Sequence, residues 1–173
     1  MIIQIASIIV IIALTLVLYK LGSEYQHRKV IRMSFKESLD LVGLPIITFK
    51  HNNKKLNFIV DTGAATSAIN KTIVEYLDTT SLKTETTIAY GVDGIGHAVE
   101  SVGLVLEYKE NSYADIFRIL DLTPAFENIK KECGVTVHGL LSSAFLERYK
   151  YVIDFKELAI IAKKNKCKMP NDK

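Results

Sequence analysis

The chain has no tryptophan, and its 173 residues include two cysteines, three prolines and nine glycines. Cys133 and Cys167 form neither a disulfide framework nor a zinc-ligand spacing, and they fit a reducing compartment. The four histidines show no metal-ligand spacing either, so no metal or other cofactor is expected. Basic residues exceed acidic ones by only three, 22 against 19. Lys163, Lys164, Lys166 and Lys168 do gather near the C-terminus. A solvated basic tail over residues 164–173 accounts for them, and no nucleic-acid partner is expected without a clustered basic face. Ser142 and Ser143 lack a G-x-S-x-G setting. Cys133 and His138 are too local to imply a Cys–His pair, and no glycine-rich loop opens a helix in a βαβ unit.

Charge is also missing from the first 18 residues, where Gln4, Ser7 and Thr15 are the only polar side chains. The first charged residue is Lys20. As a helix this run would extend roughly 27 Å, enough for a thin bilayer with Tyr19 at its edge. The rival reading is a cleaved signal peptide. That would want a basic leader, a shorter apolar core and a small-x-small cleavage site, whereas the run ends in Tyr19-Lys20-Leu21. An uncleaved single transmembrane anchor over residues 1–19 is therefore expected. Lys20, Arg28, Lys29, Arg32 and Lys36 all follow the run, so the positive-inside rule puts the remainder on the cytoplasmic side.

After the anchor the apolar fraction falls to roughly 45%, an ordinary globular value. Residues 20–41 read as a polar juxtamembrane connector, helical in part. Leu44–Phe49 and Leu56–Val60 read as strands about the turn His51-Asn52-Asn53-Lys54-Lys55. A short helix is expected over Lys71–Leu77, capped by Asn70. Thr84–Tyr90 and Ala98–Tyr108 are strand-like and flank a glycine-dense link at residues 91–96, which suggests a mobile hairpin tip. Phe117–Leu122 reads as another strand. Thr123-Pro124 reads as a cap followed by proline at the first helical position, opening a helix to Lys131. Val135–Leu141 is apolar, and Ser142 or Ser143 can cap a helix through Tyr149. Tyr151–Phe155 and Leu158–Ala162 form a last hairpin. Many short strands with few short helices predict a mainly β barrel or sandwich over residues 42–163.

Asp61-Thr62-Gly63 is the triplet that carries chemistry. It follows the apolar strand Phe58-Ile59-Val60, where an ionised carboxylate is costly. Gly63 permits a sharp turn and a close backbone approach, and the Thr62 hydroxyl can hold such a turn. On the triplet alone, ordinary turn chemistry accounts for these residues as well as catalysis does.

The longer stretch Phe58–Ile69 resembles the catalytic loop of retroviral-type aspartic proteases, the retropepsins. The glycine-rich hairpin at residues 90–97 lies where that family has its flap, and Val137-His138-Gly139-Leu140-Leu141 is similar to its late apolar-apolar-Gly segment. Tyr151–Phe155 resembles the closing strand of bacterial members. The resemblance implies a single-lobe retropepsin-like acid-protease barrel, preceded here by the anchor, that hydrolyses peptide or protein substrates. In that chemistry two facing carboxylates share a proton and act as acid and base on one water, without a cofactor. The chain holds one Asp-Thr-Gly and no Asp-Ser-Gly, so the resemblance implies a homodimer in which each copy supplies Asp61. Thr62 would tie the two loops across the axis and Gly63 would accept substrate backbone. Ala64, Ala65 and Leu141 would contact substrate, and Tyr90, Gly91, Gly94, Ile95 and Gly96 would close over it as the flap. Two positions depart from the viral pattern. An acid and an arginine that pair in many viral members are replaced by Ala65 and Leu140, both absent together. That departure leaves open a peptide- or protein-binding module that uses the same fold without hydrolysis. His138 is expected to be a structural histidine satisfied by a neighbour.

Overall fold

The computed structural model describes residues 11–21, 30–77, 84–90 and 96–163, with the backbone alone at 84–90, 96 and 97. Its contacts divide the chain into residues 1–31 and 32–173.

In the first unit residues 11–21 form a helix, α1, whose side chains are all exposed. Its Thr15 hydroxyl donates back to the carbonyls of Ile11 and Ile12 at 3.0 and 2.8 Å. Among the described residues no helix is long and apolar enough to cross a membrane. The expected anchor of residues 1–19 lies partly outside them, since residues 1–10 are not described.

The second unit is mainly β with short helices. Its elements are β1 (Val30–Ser34, starting just before the unit), α2 (Lys36–Val42), β2 (Ile46–His51), β3 (Lys54–Asp61), β4 (Ala68–Asn70) and α3 (Lys71–Val74). They continue with β5 (Thr84–Tyr90), β6 (Gly96–Tyr108), β7 (Asn111–Leu120), α4 (Thr123–Cys133), β8 (Gly139–Ser142), α5 (Ser143–Arg148), β9 (Val152–Asp154) and β10 (Ala159–Lys163). One sheet has the order β2-β3-β8-β4-β7-β6-β5, and an extra pairing of Lys50 in β2 with Glu107 in β6 closes six of its strands into a ring. β5 lies outside that ring. A second sheet has the order β1-β10-β9.

The β2–β3 hairpin forms where the sequence predicts it. Asn52 and Asn53 both take positive φ, 47° and 64°, the two-residue geometry that asparagine tolerates and that matches strand twist. The ring interior is aromatic: Phe49 meets Phe58, Tyr113 and Phe145 edge-on, with centroids 6.2, 5.8 and 6.4 Å apart. Phe58 also meets Phe117 at 5.5 Å. Outside the ring, α4 lays Phe126 and Ile129 against Ile46, Ile59, Val137 and Leu140. β3 is thus covered on both faces, which explains why Ile59 interrupts its polar–apolar alternation.

Several elements differ from expectation for local reasons. Residues 20–41 are expected to be a connector, helical in part; α2 fits that, but residues 30–34 are strand β1, and Met33 and Phe35 are buried. The alternation is short, Ile31 and Met33 inward around the exposed Arg32. The strand expected at Phe117–Leu122 begins earlier, at Asn111, and ends at Leu120. Thr123 is inside α4 rather than its cap, which is Leu122. Asn70 precedes α3 but makes no capping bond; its Oδ1 accepts from the Leu122 amide at 3.2 Å instead. Only residues 139–142 of the apolar run Val135–Leu141 and its successor pair as a strand, because Val135 and Val137 pack under α4.

Candidate active site

β3 delivers the carboxylate. The two-residue period that sends Leu56, Phe58 and Val60 into the core places Asn57, Ile59 and Asp61 on the opposite face. Asp61 is the last residue of the strand and is half-buried. The chain turns at once around its side chain: Gly63 N donates to Asp61 Oδ1 at 2.9 Å, and Ala64 N donates to the Asp61 carbonyl at 3.3 Å. A Cβ on Gly63 would stand 3.2 Å from that same Oδ1, so glycine keeps the carboxylate uncrowded. Thr62, Gly63, Ala65 and Thr66 are exposed.

A parallel neighbour supports this loop. β8 runs beside β3 with Phe58 opposite Gly139 and Asp61 opposite Ser142. β8 also pairs with β4, Ile69 opposite Gly139. Three strands meet at Gly139, where an added Cβ would lie 2.3 Å from the Ala68 carbonyl oxygen. Just beyond, Ser143 donates to the Ala64 carbonyl twice, from its amide at 3.0 Å and its hydroxyl at 2.9 Å. Ser142 caps α5 by accepting from Phe145 N at 3.2 Å, as the sequence predicts.

Residues 47–106 match the family model for aspartyl protease. No curated protein matches the chain. Among solved structures, the chain is similar to a retropepsin-like aspartic protease from Rickettsia conorii, at 22% identity over 78% of this chain and 90% of that one, with a TM-score of 0.45. It is also similar to EIAV protease complexed with the inhibitor HBY-793, at 20% identity over 61% and 86% of the two chains, TM-score 0.44. A third similarity is to the retroviral protease-like domain of Ddi1 from Leishmania major, at 14% identity over 75% and 98%, TM-score 0.48. The family match spans the Asp61 loop, β5 and β6 up to residue 106.

Of the residues singled out from sequence, Asp61, Thr62, Gly63, Ala64 and Ala65 form one loop, with Ala64 half-buried. Tyr90 and Gly96 are paired as the last described rung of the β5–β6 hairpin, while Gly91, Gly94 and Ile95 lie outside the described residues. Leu141 is not available to substrate: it is 0% exposed, opposite Val60 in register, and packs in the core. The alternation of β8 turns Leu140, not Leu141, toward α4, so the second leucine is the inward one. Among the described residues no group of three or more His, Cys, Asp or Glu side chains could hold a metal ion.

His138 sits just before β8 and is satisfied by a neighbour. Its Nδ1 accepts from Asn57 N at 2.9 Å, which fixes the proton on Nε2. Burial pushes its imidazole below the usual value of 6.5.

One group near the loop is missed by motif reading. Asp115, in the middle of β7, is 6% exposed. Its Oδ2 accepts from Ser67 Oγ at 2.8 Å, and its Oδ1 meets the Arg148 guanidinium. Ser67 Oγ also accepts from Ser142 N at 3.3 Å and lies 3.2 Å from Ser142 Oγ. The available signal is an acid among Tyr113, Ala114, Ile116 and Phe117, since a carboxylate inside such a strand requires partners.

Proposed function

We propose that this chain is one half of an aspartic endopeptidase, in which two Asp61 carboxylates from two copies activate a water. The observation that carries the reading is the Asp61-Thr62-Gly63 turn at the end of β3, with Thr62 and Gly63 exposed on the single subunit and the carboxylate in a hydrogen-bonded loop. The aspartyl protease match over residues 47–106 supports it. One carboxylate of the pair takes a proton from water as its oxygen bonds to the peptide carbonyl carbon. The other supplies a proton to the carbonyl oxygen. Collapse of this adduct breaks the C–N bond as the amine nitrogen is protonated. Thr62 would join the two loops and the β5–β6 hairpin would cover an extended peptide. The uncharged run of residues 1–19 followed by Lys20, Arg28 and Lys29 supports a membrane tether with the protease domain on the cytoplasmic side. Such a tether raises the local concentration of chains that must pair.

The test is a mixing experiment. Asp61→Asn alone should fold and lose at least about 100-fold in peptide cleavage. At concentrations where the chain is dimeric, equal amounts of parent and Asp61→Asn chains should halve the activity per parent chain, because about half of the parent chains then face a dead partner. Activity that stays proportional to the parent chain would remove the shared site. An Asp61→Asn chain that keeps all of its cellular effect would point instead to a peptide-binding module.

A further inference from the structure

The Asp61 loop has one anchor of its own and one that originates in a buried charge. The first is Ser143, which holds the Ala64 carbonyl through amide and hydroxyl. The second is at Ser67, the last residue before β4. The Ser67 carbonyl accepts from Arg118 N at 2.9 Å, and its hydroxyl donates to Asp115 at 2.8 Å. Ser67 is 1% exposed and Asp115 6%, so both bonds are made by side chains largely withdrawn from solvent. The same hydroxyl accepts from the amide of Ser142, the residue that stands opposite Asp61 across the β3–β8 pairing. Arg148, whose side chain is 43% exposed, closes the line on the far side of Asp115.

A buried carboxylate is a poor way to stabilise a barrel, because apolar side chains of similar volume do so without desolvation. It is a good way to fix a hydroxyl in one orientation. Asp115 accepts only, so the Ser67 hydrogen must point at it, which turns the remaining lone pairs toward Ser142. We propose that Asp115 is a positioning residue for the Asp61 loop, acting through Ser67 and Ser142. Arg148 to Asp115 to Ser67 to Ser142 is a single line of polar contacts that ends at the residue paired with Asp61 in the β3–β8 register. The inference rests on the protease reading for its consequence in catalysis, but not for its consequence in the loop.

The loop supplies a readout that does not depend on activity. Gly63 N donates to Asp61 Oδ1, so amide exchange at Gly63 and at Ala64 reports how firmly the turn is held around the carboxylate. Ser67→Ala, Ser67→Thr, Asp115→Asn and the Ser67→Ala/Asp115→Asn double variant would be compared with the parent, each below its unfolding transition. Ser67→Ala and Asp115→Asn should each speed exchange at Gly63 and Ala64 about tenfold or more, while amides in the β5–β6 hairpin stay within about twofold. Cleavage should lose kcat by about 10- to 100-fold with KM within about twofold, the pattern of a misplaced catalytic group. Ser67→Thr keeps the hydroxyl and should restore both readouts, and the double variant should be no worse than the stronger single one. Unchanged Gly63 and Ala64 exchange in folded Ser67→Ala protein overturns the proposal. So does a loss of stability with kcat intact, which would make the line structural only. If Asp115→Asn does not fold, Ser67→Ala, which removes one hydroxyl, carries the same decision. If the parent cleaves no peptide, the protease reading fails while the exchange measurement still decides this one.

Discussion

Gly139→Ala is the substitution whose cost follows most directly from the geometry. Gly139 is buried where β8 passes between β3 and β4, opposite Phe58 on one side and Ile69 on the other. An alanine Cβ there would lie 2.3 Å from the Ala68 carbonyl oxygen, 2.9 Å from Phe58 Cε1 and 3.0 Å from its Cδ1. The oxygen belongs to a strand backbone and cannot swing aside, and the Phe58 ring is 0% exposed, packed against Phe49 and Phe117. Relief needs a strand to move by about 1 Å at the centre of the ring. Overpacking that side chains can absorb costs about 1–3 kcal/mol; with backbone as the obstacle, about 3 kcal/mol is expected. For a domain of this size that lowers Tm by about 10 °C. Because the chain has no tryptophan, urea unfolding would be followed by far-ultraviolet circular dichroism or tyrosine fluorescence. A Gly139→Ala protein whose midpoint and slope match the parent, within about 0.5 kcal/mol, would refute the close three-strand packing.

Two further outcomes follow from single side chains. With its folded value depressed by burial, His138 binds a proton less readily in the native chain than in the unfolded one, so stability is fully present above about pH 6.5 and falls as pH is lowered. Urea midpoints measured between pH 5 and 8 should show this fall, and His138→Gln, whose amide oxygen can still accept from Asn57 N, should flatten it; parallel profiles for the two proteins would contradict the assignment. Tyr149 holds both the amide and the carbonyl of Ala114 through its hydroxyl, each at 2.7 Å. Tyr149→Phe leaves those two buried groups unpaired and should cost about 2 kcal/mol in the same unfolding assay, whereas a loss below about 0.5 kcal/mol would show that water replaces the hydroxyl.

Local signals in the sequence were legible in proportion to how little they depended on distant chain. The Asn52-Asn53 turn, the cap at Ser142 and the last hairpin are decided within a few residues, and each forms as expected. β1 is different, because Met33 and Phe35 acquire a buried environment only when residues from opposite ends of the folded unit come together. Asp115 is the same case at the site. Its partners Ser67 and Arg148 are 48 and 33 residues away, so nothing near it in sequence shows what satisfies its charge. Leu141 differs from expectation, buried rather than at the surface, because a Leu-Leu pair does not disclose which member faces inward. The α4 cover on Leu140 decides that.

The placement of Asp61 depends on the same parity. In Lys54–Asp61 the inward residues are Leu56, Phe58 and Val60, and the next inward position would be Thr62. A register slip of one residue would turn Asp61 toward the aromatic core and Phe58 toward α4, so pairing errors are strongly disfavoured on this strand. On the outer face Ile59, two residues before the carboxylate, packs against the α4 cluster, and the strand ends at Asp61. Asp61 is therefore the first outward residue beyond that cover, which holds its backbone rigidly while its side chain stays half-open. Gly139 sits opposite Phe58 and Ser142 opposite Asp61, so the glycine that allows the strands to close together lies on the same strand pairing that carries Asp61 and Ser142. Packing and site are consequently one set of constraints, and damage to the first at Gly139 should reach the second through β8.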